Sequence, residues 1–343
     1  MSASARLAAL IVIALAAPMI IPVANALHPP RTLPPTYLPA LEGPRERGPF
    51  DADRLPDLRR LDPGYVVIGD SMAGTRIDER RLMELTRAPV GPLLQPGSGS
   101  AFWYLVLKNW VIASGVRPRL VLIFFRDTNL TDVLYRLDPQ YRWSLDLAAL
   151  DREDELNDVV ARRLGLITRV HRFVDGVLHV EQVRQRVEPE VTTLPAAMMI
   201  ASRRRREEFV TRMNDRLGLD HLRRMEAADI ENDDGPELDF ERNVDRSVLP
   251  LMLRDATRAG LRLCFVRVQR RPTAHRPPAQ SPAMQRYVGA LRTYVDAHGG
   301  LFHDDTGDPA LTLDLYEDGD HLSRRARQFY TENLYNRLRP YLQ

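Results

Sequence analysis

The sequence contains little cysteine, little lysine and little net charge. Among its 343 residues Cys264 is the only cysteine, which excludes an intramolecular disulfide and a cysteine-based metal site. Lys108 is the only lysine, so arginine carries almost all of the positive side-chain charge. The 48 basic and 46 acidic side chains leave a net charge of +2, which argues against a dedicated nucleic-acid-binding protein. The apolar fraction of 44% is sufficient for a large core and excludes disorder of the whole chain.

The amino-terminal segment is apolar. Arg6 precedes an apolar run over residues 7–27, and Ala24-Asn25-Ala26 near its end is an A-x-A type of cleavage site. The run is also about the ~20 residues that a helix needs to span a bilayer, and a buried core helix is a third interpretation. We predict a signal peptide or transmembrane anchor over residues 1–27. The protein is then periplasmic, either tethered to the inner membrane or secreted after cleavage near Ala26.

The next segment, residues 28–63, contains nine of the 26 prolines. Proline favours extended polyproline conformations, so this segment is predicted to be a semi-rigid spacer that rises ~3 Å per residue. In the alternative interpretation it wraps over the surface of the domain that follows.

Residues 64–343 are predicted to form one α/β domain. Apolar runs at strand length occur at residues 65–68, 90–95, 120–125, 261–268 and 301–304. The purest of them fit strands that are buried on both faces, as in a parallel sheet covered by helices. Helix-like stretches, such as residues 78–86 and 323–338, alternate with them. We therefore expect a doubly wound α/β/α fold with about five parallel strands. Cys264 lies in the fourth run, so we interpret it as core packing.

The stretch from about residue 131 to 258 has no convincing strand. Apolar residues such as Leu156, Val160 and Leu164 recur there at helical spacing. We predict a helical insertion that could cap the carboxyl ends of the strands.

Candidate catalytic residues lie directly after the first predicted strand and directly before the last helix-like stretch of the chain. Gly69-Asp70-Ser71 comes directly after the first strand, so Ser71 is expected at a strand-to-helix turn, where backbone N–H groups can stabilise an oxyanion. A serine nucleophile requires a base oriented by a carboxylate, and Asp318 with His321 supplies both. The other histidine–carboxylate cluster after a strand, His303-Asp304-Asp305, is interpreted as structural.

The ordered set of motifs resembles the SGNH, or GDSL-type, hydrolase superfamily. The family's first block, Gly-Asp-Ser-x-x-x-Gly, is matched by Gly69-Asp70-Ser71, with Gly74 one position early. Its last block, Asp-x-x-His, is matched by Asp318 and His321. The resemblance implies the three-layer, flavodoxin-like fold, Ser71, Asp318 and His321 as catalytic residues, and chemistry that needs no cofactor and no metal.

The two middle blocks imply the oxyanion hole. Gly97, in Gln95-Pro96-Gly97-Ser98-Gly99, matches the glycine that supplies a backbone N–H. Asn129 matches the side-chain donor of the Gly-x-Asn-Asp block, in which Asp127 replaces the glycine and Leu130 the final Asp. The resemblance covers roughly residues 64–129 and 260–340.

The amino-terminal segment and the motif order further resemble tethered periplasmic partners of membrane-bound O-acyltransferases, such as the DltD-type proteins. This implies extracytoplasmic, serine-dependent acyl transfer or deacylation, with O-acetyl groups on a cell-surface or exported carbohydrate, through an acyl-Ser71 intermediate. One alternative is a periplasmic esterase or lipase that acts on small esters or lipids. Another is a non-enzymatic, polysaccharide-binding assembly factor.

Three arginines follow predicted strands, namely Arg126, Arg270 and Arg271. They are candidates for binding an anionic substrate; in the alternative they are ordinary loop residues. The expected partners are an acylated carbohydrate or small ester, a membrane-bound O-acyltransferase, and the inner membrane through the amino-terminal segment. No nucleic-acid partner is expected.

Overall fold

The computed structural model describes residues 50–137, 142–150, 153–164, 236–272 and 280–342. Apart from Leu164, these residues belong to one compact unit formed from residues 48–163 and 217–343. The predicted leader, most of the predicted spacer and the middle of the predicted insertion lie outside the described residues. Within the described ranges, no helix combines the length and the apolar character needed to cross a membrane.

A parallel sheet of five strands forms the centre of this unit. The strands are β1 (Tyr65–Gly69), β2 (Val90–Leu94), β3 (Leu120–Phe125), β4 (Leu263–Arg267) and β5 (Leu301–Asp304). Their order across the sheet is β2-β1-β3-β4-β5, and every neighbouring pair is parallel. This is the order of the flavodoxin-like, doubly wound sheet, so the fold predicted from the sequence is confirmed.

Within the described residues, ten α-helices surround or follow the strands. In chain order they are α1 (Arg54–Leu61), α2 (Ser71–Arg76), α3 (Glu79–Thr86), α4 (Ser100–Val106), α5 (Arg142–Ala148), α6 (Asp154–Arg163), α7 (Phe240–Val244), α8 (Leu249–Arg258), α9 (Pro282–Ala297) and α10 (Ala326–Leu342). Helix α4 continues into a π-helical turn, Leu107–Ile112, and short 3₁₀ segments span Pro236–Leu238 and Leu313–Leu315. A small antiparallel pair, β6 (Tyr316–Asp318) and β7 (His321–Leu322), precedes α10.

The central strands are buried on both faces, as their continuous apolar sequences predict. Every residue of β1, β3 and β4 is buried. Tyr65 and Val67 belong to a core cluster that also contains Leu334 and Leu338 of α10. Because successive strand residues point to opposite faces, burial of the intervening residues Val66 and Ile68 requires cover on the other face as well.

Helix α1 lies within the segment for which the proline content predicts extended chain. Leu58 of α1 is buried, and Nε of Arg59 donates to the main-chain oxygen of Ser114 at 2.9 Å. The backbone N–H of Asp51 donates to the oxygen of Leu147 at 2.9 Å. Residues 50–61 therefore lie against the domain, as in the alternative interpretation of this segment.

The described part of residues 131–258 contains helices and turns and no strand. Leu156 and Val160, two of the residues predicted at helical spacing, are buried on α6. Helix α8, at the end of the range, is the crossover helix that leads directly into β4.

Candidate active site

Ser71 is the first residue of a helix that begins directly after β1. Oδ1 of Asp70 accepts a hydrogen bond from the backbone N–H of Met72 at 2.8 Å and so caps α2. The turn is tight at Gly69, where a Cβ atom would lie 2.7 Å from Cβ of Ala73 and 3.2 Å from Cβ of Phe124. Glycine at this position lets the chain turn close to the sheet and places the serine at its carboxyl edge.

His321 meets Ser71 from the opposite end of the sequence. It begins β7, and the β6–β7 pair sets it in register with Asp318. Gly319, between them, adopts φ +50°, a left-handed conformation that suits glycine. Nε2 of His321 lies 2.9 Å from Oγ of Ser71. With Nε2 unprotonated, the imidazole can accept the hydroxyl proton, as general-base activation of a serine requires.

The carboxylate predicted to orient His321 is placed by its backbone only. The backbone of Asp318 stands opposite His321, while its side chain lies outside the described atoms. The orienting role of Asp318 stays a prediction.

The loop after β2, which contains Gly97, is anchored beside the Ser71 turn. The main-chain oxygen of Gly69 accepts hydrogen bonds from the backbone N–H of Gln95 at 3.0 Å and from Oγ of Ser98 at 3.4 Å. Gly97 adopts φ +72°, so a tight turn occurs next to the serine. The role of its N–H in binding an oxyanion stays a prediction.

The loop after β3 carries Asn129. Because β3 neighbours β1 in parallel, this loop leaves the same edge of the sheet as Ser71. The backbone N–H of Asn129 donates to the oxygen of Arg126 at 3.0 Å and closes the turn, and its side chain is partly exposed. Its role as a side-chain oxyanion donor stays a prediction.

Two of the three candidate substrate-binding arginines contact carboxylates through their guanidinium groups. Nη2 and Nε of Arg270 donate to Oδ2 of Asp127 at 2.6 and 2.9 Å, and Nε also donates to Oδ1 at 3.1 Å. The guanidinium of Arg126 donates to Asp320 and also lies 3.3 Å from Asp127. The guanidinium of Arg271, by contrast, forms no ion pair with any residue that the structure describes. Asp127 and Asp320 thus largely neutralise the positive charges of Arg126 and Arg270.

Asp70 lies in a mixed electrostatic environment. Burial raises the pKa of its carboxyl above the ordinary value, while the N–H of Met72 and the nearby cations Arg126 and Arg76 act in the opposite direction. The effect of burial is the largest, so ionisation of this carboxyl costs more free energy in the folded protein than in water.

Sequence reasoning missed a fully buried arginine beneath the site. Arg76, at the end of α2, donates to the main-chain oxygens of Gln269 at 2.8 Å and Asp320 at 3.1 Å. Its guanidinium also lies about 6 Å from the ring centres of Tyr316 and Tyr330. The available signal was its position: it falls one helical turn after Met72, on the face that α2 buries.

Comparisons with known proteins add one distant likeness. No family model matches the chain, and no curated protein matches it. Among solved structures it is similar to a proposed acylhydrolase from Bacteroides fragilis NCTC 9343, with 11% sequence identity and a TM-score of 0.36. That match covers 81% of this chain and 88% of the other.

Proposed function

We propose that the protein is an SGNH-type serine enzyme that transfers or removes acyl groups. The observation that carries the proposal is the 2.9 Å contact between Oγ of Ser71 and Nε2 of His321 at the carboxyl edge of a parallel sheet. Residues separated by 250 positions meet there as a nucleophile and a base. In open parallel α/β sheets this edge is where ligands bind.

The first half of the proposed reaction forms an acyl-enzyme. Oγ of Ser71 attacks the carbonyl carbon of an ester while His321 takes the hydroxyl proton. The oxyanion is stabilised by the backbone N–H of Ser71, with the N–H of Gly97 and the amide of Asn129 as the further proposed donors. Collapse of the tetrahedral intermediate breaks the bond to the leaving oxygen, which takes the proton from His321, and leaves an acyl-Ser71 ester.

The second half regenerates the serine. An acceptor O–H loses its proton to His321 and attacks the acyl carbonyl, and the bond to Oγ of Ser71 breaks as the proton returns to that oxygen. With water as acceptor the product is a carboxylic acid, and with a sugar hydroxyl it is a new ester. Ser71 and His321 have the same roles with either acceptor.

For the substrate we propose O-acetyl esters of an exported or cell-surface carbohydrate, handled on the periplasmic side of the inner membrane. The apolar amino-terminal run with its cleavage motif and the resemblance to DltD-type partners of membrane-bound O-acyltransferases support this proposal. Hydrolysis of small esters is the second candidate, because Ser71 and His321 are both partly exposed and accessible to water.

Activity-based labelling tests the catalytic assignment. We expect a fluorophosphonate probe to label the full-length protein in detergent at Ser71, and Ser71→Ala to abolish that labelling. His321→Ala should slow it about 10³-fold or more, since the serine loses its base. Thr293→Ala, which removes an exposed hydroxyl from α9, is the matched control and should label normally. Undiminished labelling of Ser71→Ala contradicts the proposal.

The acceptor is tested by turnover of p-nitrophenyl acetate with and without an added polysaccharide. A transferase should release p-nitrophenol slowly in water and faster when the glycan is present, with acetyl groups appearing on the glycan. Rapid turnover in water that the glycan does not change supports the esterase instead.

Arg271 is the remaining candidate for contact with an anionic substrate. Its backbone N–H holds Asp320, but Arg271→Gln keeps that N–H and removes only the guanidinium. We expect this variant to raise KM for an anionic ester and to leave KM for p-nitrophenyl acetate unchanged. If the variant and the parent have the same KM for the anionic ester, Arg271 does not contact the substrate.

A further inference from the structure

We propose that Asp320 is a positioning residue that holds His321 against Ser71; this inference rests on the proposed function. Asp320 directly precedes the histidine and is only 3% exposed. Its side chain does not enter the proposed reaction. Its contacts instead connect the catalytic hairpin β6–β7 to the edge of the sheet.

Three donors from three separate segments of the domain hold this one residue. One carboxylate oxygen accepts from the guanidinium of Arg126, which follows β3. The other accepts from the backbone N–H of Arg271, beyond β4, at 2.8 Å. The main-chain oxygen of Asp320 accepts from Arg76, at the end of the helix that begins with Ser71, at 3.1 Å.

The hairpin that carries His321 is short, and its apolar residues Tyr316 and Leu322 are buried in the domain core. Strand β7 has only two residues and pairs with β6 at two positions, so few hydrogen bonds within the hairpin place His321. The turn passes through Gly319 at φ +50°, where the backbone of glycine is least restricted. The contacts of Asp320 add to this apolar packing a polar restraint on the residue next to the histidine.

The contacts of Asp320 are part of a series of ion pairs in which arginines and aspartates alternate. Arg126 contacts Asp320 on one side and Asp127 on the other, and Asp127 is bound in turn by Arg270. This series links the loops after β3 and β4 to the hairpin. It assigns Arg126 to holding the site together rather than to binding substrate. Removal of the Asp320 charge would leave the largely buried guanidinium of Arg126 with Asp127 as its carboxylate partner among the described residues.

The functional consequence follows from the geometry of proton transfer. The base must lie within hydrogen-bonding reach of the serine hydroxyl, and a displacement of about 1 Å can cost about 10²-fold in rate. Loss of the Asp320 side-chain contacts should therefore lower the rate of the chemical step. The groups that contact the substrate are unchanged, so KM should stay nearly the same.

The test compares Asp320→Asn with the parent enzyme. The asparagine oxygen can still accept from the N–H of Arg271, but the charge opposite Arg126 is lost. We expect the fluorophosphonate rate constant and kcat for p-nitrophenyl acetate to fall about 10- to 100-fold, with KM within about 2-fold of the parent. Asp314→Asn is the matched control, because Asp314 is exposed and bonds only to the hydroxyl of Thr312 among described residues; its rates should not change.

The end point of labelling separates positioning from stability. A purely structural role would reduce the fraction of molecules that label and leave the rate constant of the remainder unchanged. We expect full labelling at a lower rate. Full labelling at the parental rate, with parental kcat, overturns the inference.

Two further outcomes keep the test decisive. If Asp320→Asn does not fold, Arg126→Lys keeps the positive charge but loses the planar guanidinium, and it should show an intermediate fall in the labelling rate. A parental rate in Arg126→Lys then overturns the inference. If the parent itself is not labelled at Ser71, the proposed function fails first and this inference fails with it.

Discussion

The carboxylate of Asp127 accepts hydrogen bonds from Nη2 of Arg270 at 2.6 Å and from Nε at 2.9 and 3.1 Å, while the backbone of Asp127 is left-handed, with φ +48°. This is the position at which the SGNH motif that the chain resembles has glycine. Glycine adopts such a conformation freely, and aspartate is one of the few other residues that tolerates it. The ion pair with Arg270 offsets the backbone cost and ties together the loops after β3 and β4.

The backbone of Asp127 leads to a first prediction. Asp127→Ala and Asp127→Gly both remove the ion pair, but only the alanine variant keeps the left-handed strain. We expect Asp127→Ala to be less stable than Asp127→Gly by about 1 kcal/mol in urea unfolding. At Asp314, in a 3₁₀ segment with ordinary φ, the same two substitutions should have the opposite order. Equal stability of the two Asp127 variants would falsify the argument from strain.

Two glycines of the serine motif should respond oppositely to alanine. Gly69→Ala places a Cβ 2.7 Å from that of Ala73, so overpacking should cost about 1–3 kcal/mol of unfolding free energy. At Gly74, inside α2, a Cβ atom would meet no atom within 4 Å, and Gly74→Ala should stabilise by about 0.5–1 kcal/mol. Chemical denaturation measures both. If Gly74→Ala is as damaging as Gly69→Ala, space is not what distinguishes these positions.

The buried Arg76 should be far more important for stability than an exposed arginine. Arg76→Met leaves the carbonyls of Gln269 and Asp320 without this donor inside the protein, at an expected cost of about 2–5 kcal/mol. Arg80→Met removes a side chain that is 88% exposed and pairs with Glu84 across one helical turn, and it should change stability by less than about 0.5 kcal/mol. A stable Arg76→Met would mean that apolar packing replaces the hydrogen bonds fully.

The sheet was predictable from the sequence because its strands are buried on both faces. Residues 120–125 are apolar throughout and form β3 as predicted. The fourth run was predicted as 261–268, whereas β4 is Leu263–Arg267. At the amino-terminal end the difference arises because the N–H of Leu261 still bonds to the oxygen of Ala256, near the end of α8. Such end effects depend on the neighbouring helix and not on hydropathy.

The site was predictable only in part. Ser71 and His321 lie in short motifs with a fixed chemical logic, so the sequence alone indicates them. Arg76 and Asp320 acquire their roles from contacts between distant segments, for example over 244 positions, and nothing local marks such pairs. A proline-rich composition likewise predicts extended chain at residues 54–61, where packing against the domain favours a helix.

Asp70 gives a pH-dependent prediction. Because burial raises its pKa in the folded state, its favourable contribution is present below the unfolded pKa of about 3.9 and is lost as pH rises through the folded value. Asp70→Asn keeps the cap acceptor without the charge. Its unfolding free energy relative to the parent should therefore increase between about pH 3 and pH 7. Asp70→Ala lacks the cap, so its unfolding free energy should be about 1 kcal/mol lower than that of Asp70→Asn at both of these pH values. If the stability of Asp70→Asn relative to the parent decreases as pH rises, the pKa of Asp70 is lowered and not raised on folding.

The single cysteine should be chemically silent in the folded protein. Cys264 lies in β4 with no exposed surface, and burial raises the pKa of its thiol to about 12. Both effects suppress the thiolate, the reactive form. We expect no reaction with a disulfide reagent at about pH 8 under native conditions and one equivalent of reaction in concentrated guanidinium chloride. Between these limits the reaction rate should follow the unfolded fraction, because the central strands of a sheet open only with the whole domain. Rapid reaction under native conditions would show that β4 opens locally, and would place the least stable part of the domain beside the loop that carries Arg270 and Arg271.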